Sequence, residues 1–430
     1  MKKRILSLVL AAFMATAIFA GCNQNSTSSG TDSTAESTGS VAKGEKTVIT
    51  VTKWGELSEN DVEQTLINEF NKTNDKNIEV KLDVVPGDGY GDRLTTSFSS
   101  GEGYDIFLSG EGDFYKWVDK SLSASLNDVI AADKEWKNPM DESIYNMGKI
   151  NGEQHYIVKD YNPICLWYNK DLFDAKGVSY PTDNWTWDDL FAAAEKIADP
   201  ANGVFGFNSQ KWEYASLTYL ESVGAPITDE SGKYEDYLNS DAVVAALDKY
   251  FGLIDQKISP AASDLDTFGD AGAMMVQGKL AMNINGGWAL SSFKDAGINY
   301  GTALVPGTHA SYLCASGYSI GTRCKNKEAA WEVLKLLTGE EATKLRVENE
   351  ACLPTISTEL ESLKGTIGEN NQALLNQIDY SVQPLGLRFA AGNTIVAKYG
   401  EALERIIYKD GTTKDVLNEA ITEINSALAE

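Results

Sequence analysis

Cys22 stands between two segments that decide what its thiol can do. Ahead of it come Lys2, Lys3 and Arg4, an apolar stretch from Ile5 to Ala20 and the small residue Gly21. That is the order of a secretory leader and its cut site. The stretch falls short of the roughly 20 apolar residues that a membrane span needs. Behind Cys22, residues 23–46 are rich in Ser, Thr, Gly and Asn and carry no periodic apolar face, so they read as a flexible tether. Phe19-Ala20-Gly21-Cys22 has the form of a bacterial lipobox, with Phe19 where leucine is commonest. The expectation is a signal peptide over 1–21, acylation of Cys22, and a linker over 22–46 holding an exported chain to the outer face of the cell membrane.

The other reactive side chains exclude more than they suggest. Cys165, Cys314, Cys324 and Cys352 form no CxxC pair, and the two histidines, His155 and His309, are far apart. A zinc site of standard spacing, a Cys–His nucleophile and any other metal or cofactor site are therefore not expected. Four cysteines in an exported chain allow two bridges in three pairings. The alternative is that they are small buried hydrophobes, which a large domain with no need of staples favours. Net charge is −25, with 62 Asp and Glu against 37 Lys and Arg. Such a surface repels phosphate backbones, so nucleic acid is not an expected partner. The 43% hydrophobic share belongs to a chain with a real core, long enough past residue 46 for two ordinary domains or one large α/β unit.

The elements that must position any site alternate between strand and helix. Residues 47–54 (TVITVTKW) form a β-rich run, and Ser58 with Asp61 reads as a capping box opening a helix through Val62, Leu66, Ile67 and Phe70. Residues 78–85 (IEVKLDVV) alternate as a half-buried strand closed by Pro86 and Gly87. Residues 104–108 (YDIFL) form a short strand leading into the loop SGEGDF; 163–169 (PICLWYN) and 279–284 (KLAMNI) are further strands. Thr186 with Asp189 caps a helix, and Asn326 caps another that ends at Gly339. Strands separated by helices of this length indicate βαβ units and parallel sheets.

Five of these segments, in order, resemble the extracellular solute-binding proteins of ABC sugar importers, the group that includes maltose-binding protein. They are VTKWGE with the following helix and IEVKLDVV; SSGEGYDIFLSG; NGEQHYIVKDYNPICLWYNKDLFDAKGV with WTWDDLFAAAEKI; AMNINGGWALSSFKDAGINYGTALVPG; and SIGTRCKNKEAAWEVLKLLTGEE. The resemblance implies an α/β fold of two lobes, hinged, with a ligand cleft between them. Lobe one would comprise 47–160 plus 305–352, and lobe two 161–304 plus 353–430. Crossovers would fall near Asp160–Pro163, Ala303–Pro306 and Cys352–Pro354. It further implies a monomer that delivers a carbohydrate to ABC permease subunits.

Pyranose faces are apolar and ringed by hydroxyls, so they suit flat aromatic rings with carboxylates and amides at the edges. By resemblance Trp288 is the stacking residue; it follows Asn285, Gly286 and Gly287, glycines expected to let a ligand approach the backbone and to aim the indole outward. Trp54 and Glu56 stand where the family faces its cleft. Ser109 replaces a stacking aromatic of the maltose binder, while Glu111 and Asp113 offer acceptors for sugar hydroxyls. Lys159, Asp160, Tyr161 and Asn162 lie on the first crossover, Trp212 is a further platform, and Arg388 belongs to a segment (QPLGLRF) placed to cover the cleft. Trp167, Trp185 and Trp187 read as structural. Two alternatives stay open. With 62 acidic residues, carboxylate pairs spaced for a glycoside hydrolase arise by chance, and a sugar sensor or adhesin uncoupled from transport would share the same cleft.

Overall fold

The computed structural model describes residues 46–55, 61–87, 89–209, 211–349, 352–364 and 366–429. The leader, Cys22, the tether, Glu56 and Ser58 lie outside them. Twelve strands can be followed: β1 Thr47–Trp54, β2 Ile78–Val85, β3 Ile106–Gly110, β4 Lys149–Ile150, β5 Glu153–Gln154, β6 Ile157–Pro163, β7 Cys165–Asn169, β8 Phe205–Phe207, β9 Leu280–Asn285, β10 Tyr300–Ala303, β11 Ser311–Ile320 and β12 Ser381–Val382. They make a first sheet in the order β12-β11-β3-β1-β2, with β6 paired to β11, and a second in the order β10-β7-β9-β8; β4 and β5 form a small ribbon.

Local rules account for the elements. The alternation of 78–85 becomes β2, paired in parallel with β1 along its whole length. The helix that follows β1 spans Val62–Thr73 and is capped by Asp61, whose carboxylate accepts the Gln64 amide. Its described start is thus three residues later than the Ser58 cap the sequence suggests. Thr186 and Asp189 do make a capping box at the Trp187–Ile197 helix, an arrangement worth about 1 kcal/mol. That helix buries Leu190, Ala194 and Ile197 beneath the second sheet with Phe207, Met282 and Ile284. A separate core beneath the first sheet joins Ile49, Val51, Ile106 and Val80 to Trp331 and Leu334.

Two expectations need correction. The sheets are mixed: β1 runs parallel to β2 and β3, but β11 is antiparallel to β3 and β6. In the second sheet only β8 and β9 are parallel. A strand leaving a crossover and one returning to it must run in opposite directions, as β7 and β10 do, and no helix count reveals that. Residues 163–169 are also not one strand. β6 ends at Pro163 in the first sheet and β7 begins at Cys165 in the second, so the chain changes sheet at Ile164. It returns between Ala303 and Ser311, and Leu353 pairs with Tyr161 beside the first crossing. The four cysteines beyond Cys22 are unpaired, three buried and Cys314 half-buried.

Candidate functional site

Parallel strands leave a crevice beyond their carboxyl ends where chain direction diverges, and both sheets aim such ends at one place. β1 delivers Lys53 and Trp54, and β3 delivers Leu108, Gly110 and then Glu111. From the second sheet, β8 leads to Trp212 and Tyr214, and β9 leads to Trp288. Strands β6 and β11 form the floor. Together these residues enclose a cavity of about 550 Å³.

Its aromatic lining comes from both sheets. Trp54 is braced edge-on by Tyr90 at 5.5 Å. Trp212 and Trp288 meet at 5.8 Å and 73°, and Trp212 rests against Tyr214. Trp288 is 40% exposed although it is an indole. The glycines before it are required by close contacts. A Cβ at Gly286 would lie 2.2 Å from the Trp288 ring, and one at Gly287 would lie 2.6 Å from Asn162 Oδ1. Gly286 therefore makes room for the indole itself, and Gly287 for the floor of the cavity.

The charges of the cavity are mostly paired internally. Lys53 bonds Asp61 and, at 2.9 Å, Glu63; the other Glu63 oxygen accepts from Arg346 at 2.8 Å. Burial pushes the Glu63 carboxyl up, but Arg346, Lys159 and Lys53 outweigh it and hold the group well below the usual carboxylate range. Lys159 pairs with Asp160, and Ser316 Oγ donates to the other Asp160 oxygen at 2.7 Å. Glu111 differs. It is buried, accepts the Ala315 amide at 2.8 Å, and faces no cation among its described ion pairs. Burial raises its carboxyl to about 7, the amide works against this, and the nearby charges of Asp160 and Asp113 add to the rise. Asn162 Oδ1, also buried, has no hydrogen-bond donor among the described residues. Such groups suit uncharged hydroxyl partners that both donate and accept.

The cavity brings together Trp54, Glu111, Asp160, Trp212 and Trp288 of the residues singled out by sequence, with Lys159 and Asn162. Asn285 lies in the adjoining cavity behind the indoles. Others are elsewhere, for definable reasons. Side chains alternate along a strand, so with Leu108 and Gly110 facing the cavity Ser109 points into the sheet, 1% exposed. Tyr161 likewise sits between Asp160 and Asn162 and is buried with Leu313 and Leu353. Asp113 is half-exposed and paired with Lys116 at 3.0 Å. Leu385–Arg388 is a single turn that buries Leu385 and Gly386, and Arg388 leaves it over the Phe389 ring at 4.9 Å. Glu56 is outside the described residues. Sequence reasoning passed over Lys53, Glu63, Tyr214, Cys314, Ala315 and Ser316. Only Tyr214, two residues from Trp212, carried a usable signal.

The family profile described as "Bacterial extracellular solute-binding protein" matches residues 54–344. The chain belongs to this family. Among its relatives, the galactooligosaccharide-binding protein of Bacillus subtilis is 23% identical over 338 residues, 74% of this chain and 75% of its own. An ABC substrate-binding protein of Listeria monocytogenes, solved in complex with cycloalternan, superposes with a TM-score of 0.80 at 26% identity, over 90% of this chain and 100% of that one. Maltose-bound MalE3 of T. maritima gives 0.76 at 22%, covering 89% and 100%. The fold of the family is two-lobed with the ligand cleft between the lobes. The 550 Å³ cavity is lined from both sheets, and β6 and β11 flank the two passages of the chain between them.

Proposed function

We propose that this protein captures an uncharged carbohydrate, an oligosaccharide of modest length, and delivers it to the permease of an ABC transporter. The observation that supports the reading is the 550 Å³ cavity: Trp54 from the end of β1 and Trp212 and Trp288 from the segments after β8 and β9, with Glu111, Asp160 and Asn162 also lining it. Indole faces take up the C–H surface of a pyranose, and the carboxylates and amide take up its hydroxyls. Because Lys53, Lys159 and Arg346 are committed to Glu63, Asp61 and Asp160, a negatively charged sugar finds no spare cation among the described residues of the cavity. Relatives named for galactooligosaccharide and solved with cycloalternan or maltose support the substrate class.

In this reading the lobes are 47–160 with 305–352, and 161–304 with 353–430, and the chain works as a monomer tied to the outer face of the membrane through acylated Cys22. Ligand contacts made to both lobes at once favour the closed state, since only differential contacts shift such an equilibrium. The function is capture, not turnover. The test is a thermal-shift and calorimetric screen of the full chain in detergent against neutral oligosaccharides. A ligand at 100 times its Kd stabilises by about 2.7 kcal/mol, and scattering at saturation shows a smaller radius of gyration. No shift with any neutral sugar refutes the carbohydrate assignment; release of shortened sugars at enzymatic rates replaces capture with hydrolysis. A Cys22→Ala variant that still sediments with membranes refutes the lipid anchor.

A further inference from the structure

β11 ends at Ile320, opposite Ile106 at the start of β3, so residues 321–323 emerge at the end of the first sheet that lies away from Trp54 and Gly110. There they meet the turn that follows the Phe114–Asp119 helix. Ser123 bridges Gly321 in antiparallel sense, and the Thr322 amide donates to the Leu122 carbonyl at 2.9 Å. Thr322 Oγ1 donates to the Ser121 carbonyl at 2.7 Å. Ser121 itself holds a left-handed backbone, φ 55°, which few residues with a Cβ adopt. This clamp sets Lys120 and Arg323 on the walls of one concavity of about 430 Å³.

The lining runs against the character of a chain whose net charge is −25. Lys120 and Arg323 bring two positive charges, Ser99, Ser121 and Thr322 bring hydroxyls, and no carboxylate lines the concavity among the described residues. Asp119 and Glu102, acids near this lining in sequence, are exposed outside it. Asp105 is taken up by the Thr50 amide and hydroxyl at 2.8 and 2.9 Å. Lys53 and Lys159 in the cleft are paired with acids, whereas Lys120 and Arg323 have no carboxylate partner among the described residues. The stem of Arg323 is held in place by close packing: a Cβ at Gly103 would lie 3.0 Å from its Cβ and Cγ. Phe98 and Leu122, both buried, give the concavity an apolar floor.

We infer that this concavity binds the phosphate group of a small phosphate ester, with the glyceryl part of the ester resting on Phe98 and Leu122. A guanidinium fork takes two phosphate oxygens at once, and an ammonium adds a point charge. The hydroxyls donate to the oxygens that remain. The acidity of the rest of the surface does not forbid this, because exposed charges more than about 8 Å away are largely screened at physiological ionic strength. Two sources share the chemistry, free glycerol phosphate and the headgroup of an anionic glycerophospholipid. β1 begins at Thr47, at this same end of the first sheet, directly after the linker. On the anchored reading the concavity therefore lies at the end of the molecule joined to the membrane, but the site itself depends on neither the anchor nor the carbohydrate reading.

The test titrates the full chain in detergent with glycerol phosphate at constant ionic strength, reading phosphorus NMR line broadening and the thermal unfolding midpoint. Wild type broadens the signal with a Kd of about 1 mM. Arg323→Gln and Lys120→Gln each weaken binding about tenfold or more, the loss of a charge-assisted bond. Ser99→Glu, which puts a carboxylate into the concavity, abolishes it. All three positions are exposed, so the variants keep the unliganded unfolding midpoint of wild type. Phosphate and sulfate stabilise folded proteins generally, so the site is read as the difference in thermal gain between wild type and the double glutamine variant. Dihexanoyl phosphatidylglycerol below its micelle concentration, with the phosphatidylcholine as control, separates the sources. Displacement of glycerol phosphate by the former alone supports a lipid headgroup, and no displacement by either supports the free ester. Broadening that survives in the double variant, an equal thermal gain in both proteins, or no broadening by wild type overturns the site.

Discussion

Glu111→Gln isolates one charge in the cleft. Glutamine keeps the size of the side chain and an oxygen that can accept the Ala315 amide, so the substitution removes ionisation and little else. The Glu111 carboxyl is raised from 4.5 to about 7 by burial, helped by Asp160 and Asp113. A group whose folded pKa exceeds its unfolded one favours the fold while it stays protonated. That contribution is complete below pH 4.5, declines as the unfolded chain ionises, and is lost once pH passes about 7. The difference between the two pKa values corresponds to about 3 kcal/mol. Above pH 7 the wild type thus carries a buried carboxylate with no cation partner among the described residues, and the variant does not. Urea unfolding of both proteins in steps from pH 4.5 to 8.5 reads this directly, because all other groups titrate in both and cancel in the difference. The variant gains on the wild type by up to about 3 kcal/mol across that window and levels off above it. Sugar hydroxyls donating to the carboxylate favour its ionised form, so wild-type affinity strengthens as pH rises through 7 while that of the variant stays flat. A stability difference independent of pH would refute the reasoning, since Glu111 would then ionise as freely as a surface carboxylate.

Three further outcomes follow from the same geometry. Trp288→Ala costs sugar binding about 2 kcal/mol or more, roughly thirtyfold in Kd, with little change in unfolding free energy, whereas Trp167→Ala, with its ring fully buried, costs 3–5 kcal/mol of stability, about the usual value for emptying such a site; calorimetry and urea titration separate the two. Gly286→Ala places a methyl within 2.2 Å of the Trp288 ring, so it displaces the indole and lowers affinity while helix content by circular dichroism is retained. Glu63→Gln leaves Arg346, 3% exposed, without its buried partner and costs about 3–5 kcal/mol in urea unfolding at pH 7; the loss shrinks in acid, because a carboxyl held low stabilises above its unfolded pKa and loses that effect as pH falls through the folded one.

What was legible in the sequence was what local physics decides. β1, β2 and the Trp187–Ile197 helix appear where alternation and a capping box place them, and the crossover at Pro163 is marked by its proline. Trp54, Trp212 and Trp288 were readable as flat surfaces at element ends. What was not legible depends on register and long-range pairing. Ser109 and Tyr161 miss the cleft by one residue each, because a shift of one along a strand reverses the face, and nothing in either segment says which face is wet. β11 is a run of small and apolar residues with no clear period, so Cys314, Ala315 and Ser316 gave no sign that they floor a site. Glu63 acquires its role from Arg346, 283 residues away.

The division of the cleft among three sets of residues has an energetic consequence. Trp54 and Glu111 extend from β1 and β3 of the first sheet, Trp212 and Trp288 from the second, and Asp160, Asn162 and Ser316 from β6 and β11, which flank the passages of the chain between the sheets. A ligand touching one set alone gains nothing from closure, however tightly it binds, because closure is driven only by contacts that the open state lacks. Moving an equilibrium from mostly open to mostly closed takes about 5.5 kcal/mol of such contacts, more than a single indole platform supplies. On the proposed reading, a ring between Trp54 and the Trp212–Trp288 pair drives closure by touching both sheets and the strands β6 and β11 together. Binding by the second lobe alone and closure onto Trp54 are then separable steps: Trp54→Ala abolishes compaction at saturating sugar while part of the affinity survives. Compaction that persists in Trp54→Ala would place the closing contacts on Glu111 and the strands β6 and β11 instead.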